Sequence, residues 1–161
     1  MKLIDTTGVK PFLKWAGGKG QLLNEIRRRY PNDLGSSLYR YCEPFVGGGA
    51  VLFDILSNYK LKEVYINDVN AELINTYNCI KLDVDSLIAY LKRYQKEYLS
   101  KNNDDRKEYF YKKRDEYNSF LFDKNKSLKC QKAALFIFLN RTCFNGLYRV
   151  NADGLFNVPV G

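Results

Sequence analysis

The chain is 161 residues long, with 26 Lys+Arg against 18 Asp+Glu and a formal net charge of +8. Apolar residues make up 45% and charged residues 27%, enough to bury a core, which excludes disorder as the main state. The sequence contains no histidine; that removes Ser-His-Asp and Cys-His nucleophiles, H-E-x-x-H zinc sites and every imidazole general base.

Residues 1–10 are polar and read as a loose arm. From Gly20 to Tyr30, Leu22, Leu23 and Ile26 have helical spacing, and Pro31, Asn32 and Asp33 end the run. Leu38 to Cys42 reads as a strand that enters Glu43-Pro44-Phe45 and the glycine loop Gly47-Gly48-Gly49. Ala50 to Leu56 follows as a helix with Val51, Leu52, Ile55 and Leu56 on one face, and Val64 to Ile66 reads as the next strand. The order is that of a βαβ unit. Beyond residue 70 three apolar stripes predict three helices: Leu87, Ile88, Leu91 and Tyr94; then Tyr109, Phe110, Tyr117, Phe120 and Leu121; then Ala133 to Leu139. At the end, Gly146–Val150 and Leu155–Val158 flank Asn151-Ala152-Asp153-Gly154, which predicts a β-hairpin about an Asp-Gly turn.

The charge is uneven. Residues 1–30 hold 7 basic and 2 acidic side chains, 31–83 hold 4 and 7, and 84–139 hold 13 and 8. An acidic, glycine-containing middle between basic flanks fits a small-molecule site beside a surface for a polyanion, or equally Lys and Arg that only solvate helix faces. Cys42, Cys79, Cys130 and Cys143 form no C-x-x-C pair and read as free thiols of a reducing compartment. Ala133–Leu139 is the longest apolar run, about a third of the ~20 residues a membrane span needs. With no signal segment at the start, a soluble cytoplasmic protein without membrane anchor or metal is expected.

Three constellations carry chemistry. Gly47 and Gly49 supply the first glycines of a dinucleotide fingerprint, but Leu52 occupies the third position, which argues against a pyrophosphate ligand. Asp68 follows the second strand about twenty residues later, where an acid accepts ribose hydroxyls. Together they fit a nucleoside without a diphosphate, with S-adenosylmethionine as the candidate; a tight turn beside a solvated Asp is the other reading. The second is Phe12-Leu13-Lys14-Trp15-Ala16-Gly17-Gly18-Lys19, which does not satisfy a P-loop. Trp15 can hold a sulfonium or an adenine and Lys19 a carboxylate, or they are a core anchor and a surface charge. The third, Asn140 to Arg149, mixes guanidinium, amide and aromatic groups at the head of a hairpin, a set that reads base edges in the major groove and stacks on unpaired bases, or is an ordinary polar hairpin.

FLKWAGGK (12–19), EPFVGGGAVLF (43–53), INDVNAELINTYNCIK (66–81) and FLNRTCFNGLYRVNADGLFNVPVG (138–161) together resemble the adenine-specific DNA methyltransferases of the Dam type, including GATC-modifying members of restriction-modification systems. The resemblance implies an α/β, Rossmann-like S-adenosylmethionine-dependent methyltransferase fold, incomplete here, with an inserted helical target-recognition domain bearing a β-hairpin. Residues 1–83 would be the first part of the cofactor-binding catalytic domain and 84–161 the target-recognition domain. Trp15, Lys19, Phe45, Gly47 and Asp68 would bind S-adenosylmethionine. Arg141, Phe144, Asn145, Leu147 and Arg149 would meet double-stranded DNA: Arg149 as guanine reader, Phe144 and Asn145 at the flipped-base gap, Leu147 and Pro159 against thymine methyls.

One departure bears on catalysis. The family transfers its methyl group at an Asp-Pro-Pro-Tyr loop, whereas Pro11, Pro31, Pro44 and Pro159 are the only prolines and none are adjacent. No catalytic residue is therefore expected in this chain, which reads as the N-terminal part of a methyltransferase, a fragment or half of a split enzyme needing a complementing C-terminal chain. Val160 also stands where relatives carry an aromatic. An incomplete sheet exposes edges, so marginal stability or oligomerisation is expected. A non-catalytic DNA-binding fragment and an RNA or small-molecule methyltransferase are the competing readings.

Overall fold

The computed structural model describes residues 9–120 and 129–161. Most of the loose arm expected over residues 1–10, and Leu121 of the second stripe, lie outside the described residues. The chain divides into two compact units, one of residues 9–12 with Gly17–Val69, the other of Leu13–Ala16 with Asn70–Gly161. These are units of packing, divided at Asn70 where a functional boundary at residue 83 was expected.

In the first unit, β1 (Arg40–Glu43) and β2 (Glu63–Ile66) form a two-stranded parallel sheet, the sheet found among the described residues, with Arg40 opposite Glu63 and Glu43 opposite Ile66. Parallel neighbours need a crossover, and the chain between them contains α2 (Ala50–Asn58), which buries Val51, Leu52, Asp54 and Ile55. This is the expected βαβ order, in a mixed helix and strand chain. The first strand starts later than expected because Gly35, at φ +81°, turns Leu38 back to bridge Leu34. The helix expected over 20–30 contracts to a 3-10 turn (Lys19–Leu22) and α1 (Leu23–Arg27), neither of which buries a residue. What ties α1 down is polar: the buried Asp54 carboxylate accepts from Arg27 Nε at 2.9 Å and from the Tyr30 hydroxyl at 3.1 Å.

The second unit holds α3 (Ala71–Leu82), α4 (Val84–Leu99), α5 (Asn103–Ser119) and α6 (Lys129–Thr142), one helix more than the three stripes predict. Asn70, Asp83 and Asn102 cap α3, α4 and α5 by accepting from N–H groups of the first turn. Every residue from Ala133 to Asn140 is buried, so α6 is covered all round, packing against α3, α4 and α5. Each such Leu or Phe contributes about 1.5–3 kcal/mol by leaving water. Phe138 stands edge-on to Tyr94, Tyr98 and Tyr109 at centroid distances of 6.0, 5.5 and 5.8 Å. Lys113, buried, lies over Tyr94 and Tyr109 and pairs with Glu116 at 2.8 Å.

The two strands expected at the end reduce to isolated antiparallel bridges, Val150 with Phe156 and Cys143 with Val160. A hairpin closure survives, since Asn157 N–H donates to the Arg149 carbonyl and Asn151 N–H to the Leu155 carbonyl. The outward main-chain groups of Phe156, on the edge away from Val150, are taken by a side chain: Asn118 of α5 donates to its carbonyl at 3.1 Å and accepts its N–H at 2.9 Å. Val160, the odd residue of the exit, serves as the bridge partner of Cys143.

Candidate functional site

In the first unit the candidate residues gather at the carboxyl ends of the parallel strands. Gly47 at φ +51° and Gly49 at φ +82° let the chain turn from Glu43 into α2, a backbone that side chains other than glycine rarely adopt. The loop is sewn to the segment after β2: Val46 N–H donates to the Asn67 carbonyl and Asn67 N–H to the Glu43 carbonyl, both at 2.9 Å. Gly47 N–H donates to Asp68 Oδ2 at 2.9 Å. Gly47 and Asp68 are thus brought together as the sequence expects, with Phe45, 73% exposed, on the same loop.

Lys19 joins them, with its ammonium held by the chain itself. It donates to Glu43 Oε1 at 2.7 Å and to the Phe45 carbonyl, and so fixes the loop from the side of the N-terminal segment. Glu43, 5% exposed, also accepts the Tyr41 hydroxyl at 2.8 Å. Burial, then the hydrogen bond to Glu43, pushes Tyr41 well above its usual ionisation. Sequence reasoning did not single out Glu43 as a partner; its only signal was a carboxylate at the end of the strand, where the glycine loop begins.

Trp15 belongs to the second unit, although Lys19 four residues on belongs to the first. Its ring stacks on Tyr148 at 5.8 Å and 19° and meets Phe136 at 6.3 Å. Its aromatic surface is therefore engaged within the unit, closer to the core-anchor reading. After α6, Phe144 is 52% exposed, and Asn145 takes the left-handed conformation at φ 53°. Pro159 adjoins this turn, its carbonyl accepting from Phe144 N–H at 2.9 Å. Leu147 is half-buried, whereas Arg141 and Arg149 are exposed. The Arg149 guanidinium is held against the hairpin by Asn157, Nε donating to Oδ1 at 2.7 Å. Cys143 is buried beneath the turn, which pushes its thiol up. Asn140 and Tyr148, absent from the sequence-derived site set, organise this region.

The donor set of the first unit suits a nucleoside. Asp68 places a carboxylate beside the Gly47 N–H, Phe45 presents a ring, and the glycine backbone allows close approach. Among the described residues no group of three or more Cys, Asp or Glu could hold a metal, and no helix is long and apolar enough to cross a membrane.

Comparison places the chain: the D12 class N6 adenine-specific DNA methyltransferase model matches residues 15–161, and the chain belongs to that family. It is 51% identical over 154 residues to the type II methyltransferase M.MjaIII of Methanocaldococcus jannaschii, covering 95% of this chain and 52% of that protein. It is 40% identical over 153 residues to the DNA adenine methylase of Serratia marcescens, covering 94% and 49%. Against the DNA N-6-adenine-methyltransferase of Escherichia phage P1 the identity is 39% over 152 residues, covering 94% and 18%. The chain thus spans about half the length, or less, of these relatives.

Proposed function

We propose that this chain supplies the donor-binding and target-reading parts of a DNA adenine methyltransferase that uses S-adenosylmethionine and acts on GATC in double-stranded DNA. The observation that carries the reading is the Gly47 N–H bond to Asp68 at the ends of a parallel βαβ pair, in a chain of this family. Residues 1–83 take the donor and 84–161 the DNA. Asp68 accepts the ribose hydroxyls, Gly47 and Phe45 form the wall, and Lys19 braces that wall through Glu43 and the Phe45 carbonyl. Trp15 is also assigned to the donor by the family resemblance, on its sequence motif beside Lys19. When bound, the sulfonium donor supplies an electrophilic methyl group.

On the other side, Arg149 reads guanine, Phe144 and Asn145 enter the gap left by a flipped adenine, Leu147 and Pro159 meet thymine methyls, and Arg141 adds a phosphate contact. No residue of this chain is assigned to methyl transfer, because no Asp-Pro-Pro-Tyr occurs in it; turnover requires residues supplied by a complementing segment, in the cytoplasm. Calorimetric titration of S-adenosylmethionine into the chain, with Asp68→Ala as control and far-UV circular dichroism to verify folding, tests the proposal. Saturable heat lost in the variant is expected; no heat with the folded chain refutes the donor site.

A further inference from the structure

We infer that Asn140 is a positioning residue for target recognition: its carboxamide locks the Leu13–Ala16 segment to the Phe144–Gly146 turn and thereby fixes the surface from which the following residues read DNA. The inference rests on the proposed role of this unit.

Asn140 is 1% exposed and follows the seven apolar residues Ala133–Leu139 of α6. A buried amide there needs a partner for each polar atom, and it has them. Oδ1 accepts Lys14 N–H at 2.9 Å, while Nδ2 donates to the Lys14 carbonyl at 2.8 Å and to the Gly146 carbonyl at 2.8 Å. Both donor hydrogens are used. One side chain therefore grips both main-chain groups of a residue 126 positions away and the carbonyl of a residue 6 positions on.

Two further contacts close the same junction. Gly146 lies at φ +64°, and a Cβ there would stand 2.4 Å from Lys14 Cβ, so the turn approaches the lysine stem as only glycine permits. Trp15 stacks on Tyr148 just beyond the turn. The exposed members of this region are the Phe144 ring, Asn145 in its left-handed conformation and Arg149. Fixing their backbone in the free protein spares the ordering cost on binding. Phosphate contacts tolerate a looser backbone than base contacts do, so loss of the clamp removes specificity before it removes affinity.

The test uses the 161-residue chain, a fluorescent duplex carrying GATC and the same duplex with the site scrambled. Asn140→Asp keeps the acceptor for Lys14 N–H but sets a carboxylate against two carbonyls. The expected result is a fall of about tenfold or more in the ratio of specific to non-specific affinity, with the scrambled duplex and its salt dependence unchanged. Trp15, the single Trp, should shift its emission to the red and become more accessible to acrylamide while the far-UV spectrum is retained. Gly146→Ala meets the junction from the turn side, leaves the α6 core intact, and should lower the same ratio; it decides the matter if Asn140→Asp does not fold. Parallel weakening on both duplexes, or an unchanged ratio, overturns the inference while leaving the proposed function standing. A wild-type chain that does not distinguish the two duplexes overturns both.

Discussion

Asn118→Leu keeps nearly the same side-chain size and removes both hydrogen bonds to the main chain of Phe156, whose residue is 3% exposed. An orphaned buried donor or acceptor costs about 1–3 kcal/mol. Asn118 is itself half-exposed, so water reaches part of the junction and the lower half of that range applies to each group, giving about 2–4 kcal/mol for the pair. Urea unfolding followed by Trp15 emission reports on the unit that contains both residues, and the loss is read from the midpoint and slope. Asn118→Asp adds a pH signature. Facing the Phe156 carbonyl, the new carboxyl favours its protonated form in the folded state, so its deficit should shrink as the pH falls from neutrality toward about 4, be smallest below that, and reappear as the pH rises. A loss under about 0.5 kcal/mol for Asn118→Leu would refute the reasoning, because it would mean that water replaces the amide at no cost.

Lys19→Met leaves the buried Glu43 carboxylate without its cation, and Glu43→Gln in the same chain should recover part of the loss; a double-mutant cycle is expected to give a coupling of about 1–3 kcal/mol. At alkaline pH, burial has pushed the Tyr94 hydroxyl and the Cys130 thiol up to about 12, so the folded state holds these protons more tightly than the unfolded chain. Their contribution is complete below the unfolded thiol value near 8.5 and is lost as the pH climbs toward about 12, which urea midpoints across that window will trace. Among the four thiols, Cys42 is the exposed one on β1; Cys42→Ser should abolish the fast phase of labelling by a disulfide reagent at pH 8, and survival of that phase would contradict the placement of the strand.

The glycine loop and its flanking elements were legible because three kinds of signal coincide there: a short apolar run, glycines that only a turn demands, and an apolar face on the helix after them. The helix α3 was not, since its buried face includes Thr76, whose hydroxyl is accommodated by donating to the Glu72 carbonyl at 2.8 Å. A hydroxyl satisfied inside its own helix leaves no apolar stripe to read. The terminal strands were over-read because alternation of apolar residues does not show how far a ladder extends, and it gave no sign that Asn118, 38 positions from Phe156, binds the outer edge of that segment. The candidate residues Gly47 and Asp68 were found from their spacing, and the structure joins them by a hydrogen bond. The engagement of Lys19 by Glu43 and of Trp15 by Tyr148 had no local signature, since both partners are distant in sequence.

Asn118 and Asn140 hold their segments by main-chain atoms alone, at Phe156 in one case and at Lys14 and Gly146 in the other. Such attachment is indifferent to the identity of most side chains on the segment that is held. Residues facing solvent there, Arg149 among them, can be exchanged while the segment stays docked, so the chemistry of that surface and the capacity to stay folded are encoded at different positions of the chain.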